Sequence, residues 1–180
     1  KQATMDAFNE YVNGLKKDKK NKYRMSLTKF DSNGVNIIYK NFKLKNVPEL
    51  NDDNYSPAAM TNLNDAIGKT ITEVDNDSKK NLVVILTDGQ ENSSKEWTVV
   101  AVKDLLERKE KEGWTVTFLG MDLDAQQISF DYGIHLGNTK SFKRDDVQAT
   151  MDAYTQSTAQ FVARSSARGA TREFFSGSTD

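Results

Sequence analysis

Three groups of residues in this 180-residue chain have the types and spacing to do chemistry. Asp88 follows five apolar residues, Leu82 to Leu86, and Thr87, and Gly89 comes straight after it. A carboxylate at the end of a buried strand, with a glycine that lets the chain turn away, can hold a ligand or cap the turn. Thr61 begins a helix after the polar stretch 46–60, which carries both prolines, Pro48 and Pro57. An N-cap threonine contributes ~1 kcal/mol, but so long a loop is more often kept for binding. Asp122 and Asp124 follow the apolar run VTFLG. That spacing suits a nucleophilic carboxylate with a general acid two residues on. It equally suits a polar strand-to-helix turn with Asp124 as the cap.

Composition narrows the chemistry further. Cysteine is absent, which removes disulfides, thiolate metal sites and a cysteine nucleophile. The single histidine, His135, leaves little for a zinc site or a Ser-His-Asp triad, and reads as a satisfied core or edge residue. The 25 basic and 26 acidic residues nearly cancel, which argues against nucleic acid as the main partner. Neither G-x-G-x-x-G nor G-x-x-x-x-G-K-[ST] occurs. No apolar run approaches the ~20 residues of a membrane-spanning helix. The chain begins with Lys1 rather than Met, which leaves open a targeting segment ahead of it.

The elements that must position these groups are legible from hydrophobic period. Met5, Phe8, Val12 and Leu15 recur at three- and four-residue spacing and predict a helix over 1–17. YRMSLTKF (23–30) and VNIIYKNFKL (35–44) flank an Asn33-Gly34 turn and predict a hairpin. A helix from about Thr61 to Asp75 should bury Leu63, Ala66, Ile67, Ile71 and Val74. LVVIL (82–86) reads as a strand covered on both faces. A helix over 95–112 follows, then the strand WTVTFLG, a short helix over 124–132, a weak strand in GIHLG and a helix over 143–165.

Alternating strands and helices predict an α/β fold, doubly wound and mostly parallel, with one antiparallel hairpin edge and helices on both faces. Crossover handedness asks for a strand ahead of the first helix, and none is there. We divide the chain into a domain over 1–165 that lacks its N-terminal strand and a loose tail over 166–180. QATMDAF (2–8) and QATMDAY (148–154) are nearly identical, yet no period extends around them. They read as two amphipathic helices with one local solution rather than a repeat architecture.

Taken together, VVILTDGQENSS and the preceding TNLNDAI resemble the von Willebrand factor type A domain, in its bacterial and bacteriophage branch. The resemblance runs from Lys1 to near Arg164 and includes FLGMDLDA. It implies strand order 3-2-1-4-5-6 and a metal-ion-dependent adhesion site built from three loops. Thr61 matches the second-loop threonine and Asp88 the third-loop aspartate, with Met60, Gln90 and Glu91 on a partner-facing rim. The first loop, D-x-S-x-S, and its strand would lie upstream of Lys1. Ser176-Gly177-Ser178 echoes that loop, but Phe174 stands where the aspartate belongs, which argues against a circular permutation.

The resemblance implies a binding module rather than an enzyme. Mg²⁺ or Mn²⁺, held by hard oxygen donors, would bridge to the carboxylate of a protein partner. It would work in the cytoplasm or a virion, with surface exposure left open. Two alternatives stand beside it. One is a metal-free assembly protein of a phage or bacterial complex. The other is a phosphatase of the haloacid dehalogenase type using Asp122 and Asp124, although Gln126 stands where that type has threonine.

Overall fold

The computed structural model describes residues 1–58, 60–74, 81–164 and 171–175. It is an α/β fold with two sheets among those residues. Strands β1 (Arg24–Asp31) and β2 (Gly34–Lys43) form an antiparallel hairpin. Strands β3 (Leu82–Thr87), β4 (Thr115–Met121) and β5 (Thr139–Phe142) form a parallel sheet in that order. The helices are α1 (Gln2–Lys17), α2 (Leu63–Val74), α3 (Val99–Lys111), α4 (Ala125–Asp131) and α5 (Val147–Ala163). None of these helices is long and apolar enough to cross a membrane.

Strand β4 divides the core. All seven of its residues are buried, and the two-residue strand period sends alternate side chains to opposite faces. Val116 and Phe118 join Leu63, Ile67, Ile71, Val102, Leu105 and Leu106 under α2 and α3. Leu119 and Met121 join Val12, Leu15, Met151 and Tyr154 under α1 and α5. On that second face the Tyr154 hydroxyl meets Thr117 Oγ1 at 2.6 Å, and Tyr11 packs edge-on to the Tyr154 ring. Burial drives the Tyr154 phenol far above its ordinary pKa, so it stays neutral in the core. The two QATMDA segments thus belong to two helices that share one core, α1 and α5.

Several expectations shift. The hairpin turn falls one residue early, with Asp31 paired to Gly34 across Ser32 and Asn33. The Asp31 carboxylate accepts the Asn33 N–H at 2.8 Å, and Gly34 takes the positive φ of 117°. GIHLG is not a strand: β5 begins at Thr139, after a 3-10 turn over Leu136–Asn138. Strand β3, expected to be covered throughout, leaves Val84 36% exposed, because β4 is its sole pairing partner among the described residues.

The tail differs most. Residues 165–170 and 176–180 lie outside the described residues, and with them Ser176-Gly177-Ser178; the predicted helix end at Asp75 does so too. Residues 171–175, however, are docked. Phe174 is 3% exposed against the Tyr154 and Phe161 rings. Its N–H donates to Asn138 Oδ1 at 2.9 Å, and the Phe175 N–H donates to Gly137 O at 3.0 Å. Two adjacent phenylalanines thus bury apolar area that a loose tail would leave in water. Phe174→Ala should cost about 3 kcal/mol in a urea titration, whereas a free tail would show no change.

Candidate functional site

At the end of β3, Thr87 is buried and its hydroxyl donates to Gly89 O at 2.8 Å while accepting the Gly89 N–H at 3.1 Å. This local turn points Asp88 outward, with its side chain 44% exposed. The glycine after it is required by contact rather than by dihedral freedom. A Cβ on Gly89 would occupy the place of the Thr61 hydroxyl. Thr61 Oγ1 therefore lies against the Asp88–Gly89 turn, and it makes no hydrogen bond within the described residues.

Reciprocal capping locks the two loops together. Thr61 N–H donates to Asn92 Oδ1 at 2.8 Å, and Asn92 N–H returns to Thr61 O at 2.9 Å. The first N–H groups of a helix have no partner inside it. Here Asn64 N–H finds Glu91 Oε2 at 2.7 Å and Asp65 N–H finds Ser94 Oγ at 3.1 Å. In return the Asp65 carboxylate accepts the N–H groups of Lys95, Glu96 and Trp97 at 2.8, 2.9 and 2.8 Å. Trp97 then lies flat against α2 at Gly68, where a Cβ would strike its ring.

The sequence assigned Asp65 to the first helical turn, where it lies, but its grip on the next loop is not visible in local spacing. Burial raises the Asp65 and Glu91 carboxyls, and the converging N–H donors outweigh it, so both end below their ordinary pKa. Two buried side-chain oxygens have no partner among the described residues, Asn62 Oδ1 and Ser93 Oγ, and both belong to these same loops.

Other elements converge on this corner. Tyr55 lies near Thr4, in the first turn of α1, and in the fields of Asp88 and Asp31. Burial raises its phenol first, and the Asp88 charge adds to that. The carboxyl ends of β1 and β3 and the N-terminus of α1 are thus gathered around one ring. The Arg144 guanidinium approaches Asp88 to 3.8 Å and holds Asp122 at 3.1 Å.

Among the expected rim residues, Met60 (47% exposed) and Gln90 face outward. Glu91 instead turns into its own loop, accepting from Asn64, Ser93 and Ser94. Asp122 and Asp124 have separate partners. Asp122 stands at φ 56°, with its carboxylate on the Arg144 backbone N–H and guanidinium, which together lower its pKa. Asp124 caps α4 by accepting the Gln127 N–H at 3.2 Å. His135 lies beyond any strand, its Nε2 3.3 Å from Glu110 Oε1. Among the described residues no three His, Cys, Asp or Glu side chains converge as a metal cage. Thr61 and Asp88 each carry a hard oxygen donor, the donor type that Mg²⁺ takes.

No family model and no curated protein matches the chain. Among solved structures, it is similar to proximal thread matrix protein 1 (PTMP1) from the mussel byssus, with a TM-score of 0.62 and 15% identity. The match covers 86% of this chain and 40% of that one. The likeness is one of fold.

Asp65→Asn should cost about 2 kcal/mol at pH 7, since three N–H donors lose a charged acceptor. The Asp65 pKa is depressed on folding, so its contribution is present above the unfolded value of ~3.9 and is lost as pH falls through the folded one. Urea titrations of the two proteins should therefore converge only below about pH 4.

Proposed function

We propose that the chain is a protein-binding module of the von Willebrand factor type A kind, with Thr61 and Asp88 as two of the ligands of a three-loop site for Mg²⁺ or Mn²⁺. The observation that carries this reading is the Thr61 hydroxyl, free of any hydrogen bond within the described residues and set against the Asp88–Gly89 turn. A bound ion would supply a positive vertex able to accept a carboxylate from a protein partner. The chain's own residues do the rest.

The N-terminus of α1 lies near this corner, and its partial positive charge favours an incoming anion. The 91–97 loop, clamped to α2 by Asp65, holds Thr61 in place without touching the ligand. Met60 and Gln90 lie where a docked protein would meet the surface. Arg144 competes for Asp88 and keeps its charge partly compensated when no cation is present. The metal-free assembly reading rests on a different observation, the sheet split between β1 and β3. Insensitivity of partner binding to chelators would be its mark.

Calorimetric titration with MgCl₂ or MnCl₂ decides the metal reading. The wild-type chain should bind one ion, Asp88→Ala should weaken binding at least tenfold, and Thr61→Ala several-fold. Arg144→Ala should tighten it by about fivefold, the effect of removing ~1 kcal/mol of competing charge. A wild-type chain silent to both ions removes the metal from the proposal.

A further inference from the structure

The near-balance of charge over the whole chain conceals a segregation that folding creates. Residues 16–24 carry six cations and one anion, and residues 43–45 carry two more lysines. Folding brings these two stretches together at one end of the molecule. Arg24 lies opposite Lys43 in the hairpin, the Leu44 N–H donates to Tyr23 O at 3.2 Å, and Lys16 Nζ donates to Val47 O at 2.9 Å. Lys17, Lys19, Lys20, Lys22 and Arg24 of the first stretch are exposed, as are Lys43 and Lys45 of the second.

None of these cations forms an ion pair among the described residues. The one acid of the two stretches is already engaged. Its carboxylate, on Asp18, accepts the N–H groups of Lys20 and Asn21, the Asn21 amide and the Tyr23 hydroxyl. Part of the positive charge has a local use. Lys16 and Lys17 complement the C-terminus of α1, and Lys19 Nζ donates to Lys16 O at 3.1 Å. The Lys20, Lys22, Lys43 and Lys45 side chains have no such bond within the described residues, and their mutual repulsion costs free energy that nothing there offsets. Phe42 adds an apolar element to this end. It is 43% exposed beside Lys43, across the hairpin from Met25, with its ring stacked on Tyr39.

We propose that this end is a docking surface for an anionic lipid bilayer. Six of the seven exposed cations are lysines, point charges suited to a diffuse array of phosphate headgroups. They come from the end of α1, the start of β1 and the 3-10 turn over Leu44–Asn46, so they spread over an area rather than follow one track. A nucleic acid would call for free guanidinium forks or several stacking rings. Here the single arginine has its Nε on Asn41 Oδ1, and Phe42 is the one exposed aromatic ring of the two strands. Docking by this end holds the Thr61–Asp88 corner outward. Helix α1 begins near that corner and ends at Lys17, and its 16 residues span about 24 Å, beyond the Debye length of ~10 Å at 0.1 M salt. The Asp88 charge is thus screened from the bilayer. Docking needs no metal and is independent of the adhesion reading.

The test is cosedimentation of the full chain with vesicles in EDTA at about 0.1 M NaCl. The chain should pellet with phosphatidylcholine vesicles containing about 30% phosphatidylglycerol and stay in solution with pure phosphatidylcholine. Raising NaCl to about 0.5 M should weaken binding at least tenfold. Lys20→Glu with Lys22→Glu should weaken it at least tenfold, and Phe42→Ser about threefold at unchanged charge. Lys95→Glu with Lys143→Glu makes the same change of charge on exposed residues at the opposite end and should stay within twofold of wild type. Each variant is first shown to keep the wild-type melting transition. Equal pelleting with the two vesicle types, or none with either, overturns the proposal. Equal loss in the two charge variants would trace binding to whole-chain charge and overturns it too. So does tighter binding, per phosphate at the same salt, to single-stranded poly(U) than to the anionic vesicles, which would assign this end to nucleic acid.

Discussion

Strand β4 is the constraint on which the rest of the molecule depends. A strand buried on both faces and paired along both edges must satisfy every backbone group and fill two cores at once. All seven residues from Thr115 to Met121 are buried, β3 pairs with Thr115–Gly120 and β5 with Phe118–Met121. Branched and aromatic side chains alternate into the α2/α3 core and the α1/α5 core. Threonine hydroxyls on the strand serve as anchors: Thr117 meets Tyr154, and Thr115 accepts the Thr171 N–H. Asn138 extends the scheme by donating to Val116 O while its own Oδ1 receives Phe174. The docked part of the tail is thus held by groups that β4 organises.

Strand β3 obeys the same rule on one edge only, and that asymmetry shapes the functional surface. Its β4 side is fully laddered, whereas its other side faces the cavity shared with β1. The same strand ends at Asp88, beside Thr61 and near Tyr55. One end of that cavity and the candidate metal site are therefore one corner of the molecule. The corner keeps its shape because α2 and the 91–97 loop cap each other through Glu91 and Asp65, and two carboxylates collect the donors that neither element can satisfy alone.

Much of this was readable without coordinates. The apolar run at 82–86, the three- and four-residue spacing in the helices and the hairpin signal come from local side-chain periodicity, and each element lies within a few residues of its expected place. Capping by Asp124 was legible too, because an N-cap bonds within its own turn. The failures share a cause. GIHLG has strand-like composition, but tertiary pairing starts at Thr139, the residue that lies opposite Phe118. The turn moved to Ser32-Asn33 because the Asp31 side chain reaches forward to Asn33. Phe174 has no periodic neighbours, so nothing local announces that Tyr154 and Phe161 wait for it.

The sequence by itself determined the element types, the α/β class and the residues with oxygen donors to offer, because these follow from short-range period and side-chain chemistry. Only the tertiary structure decided that Thr61 lies against Gly89, that Glu91 faces inward, and that a cavity separates β1 from β3. Those outcomes depend on which distant backbone groups find partners, and that is set when the elements pack rather than by any stretch of residues read alone.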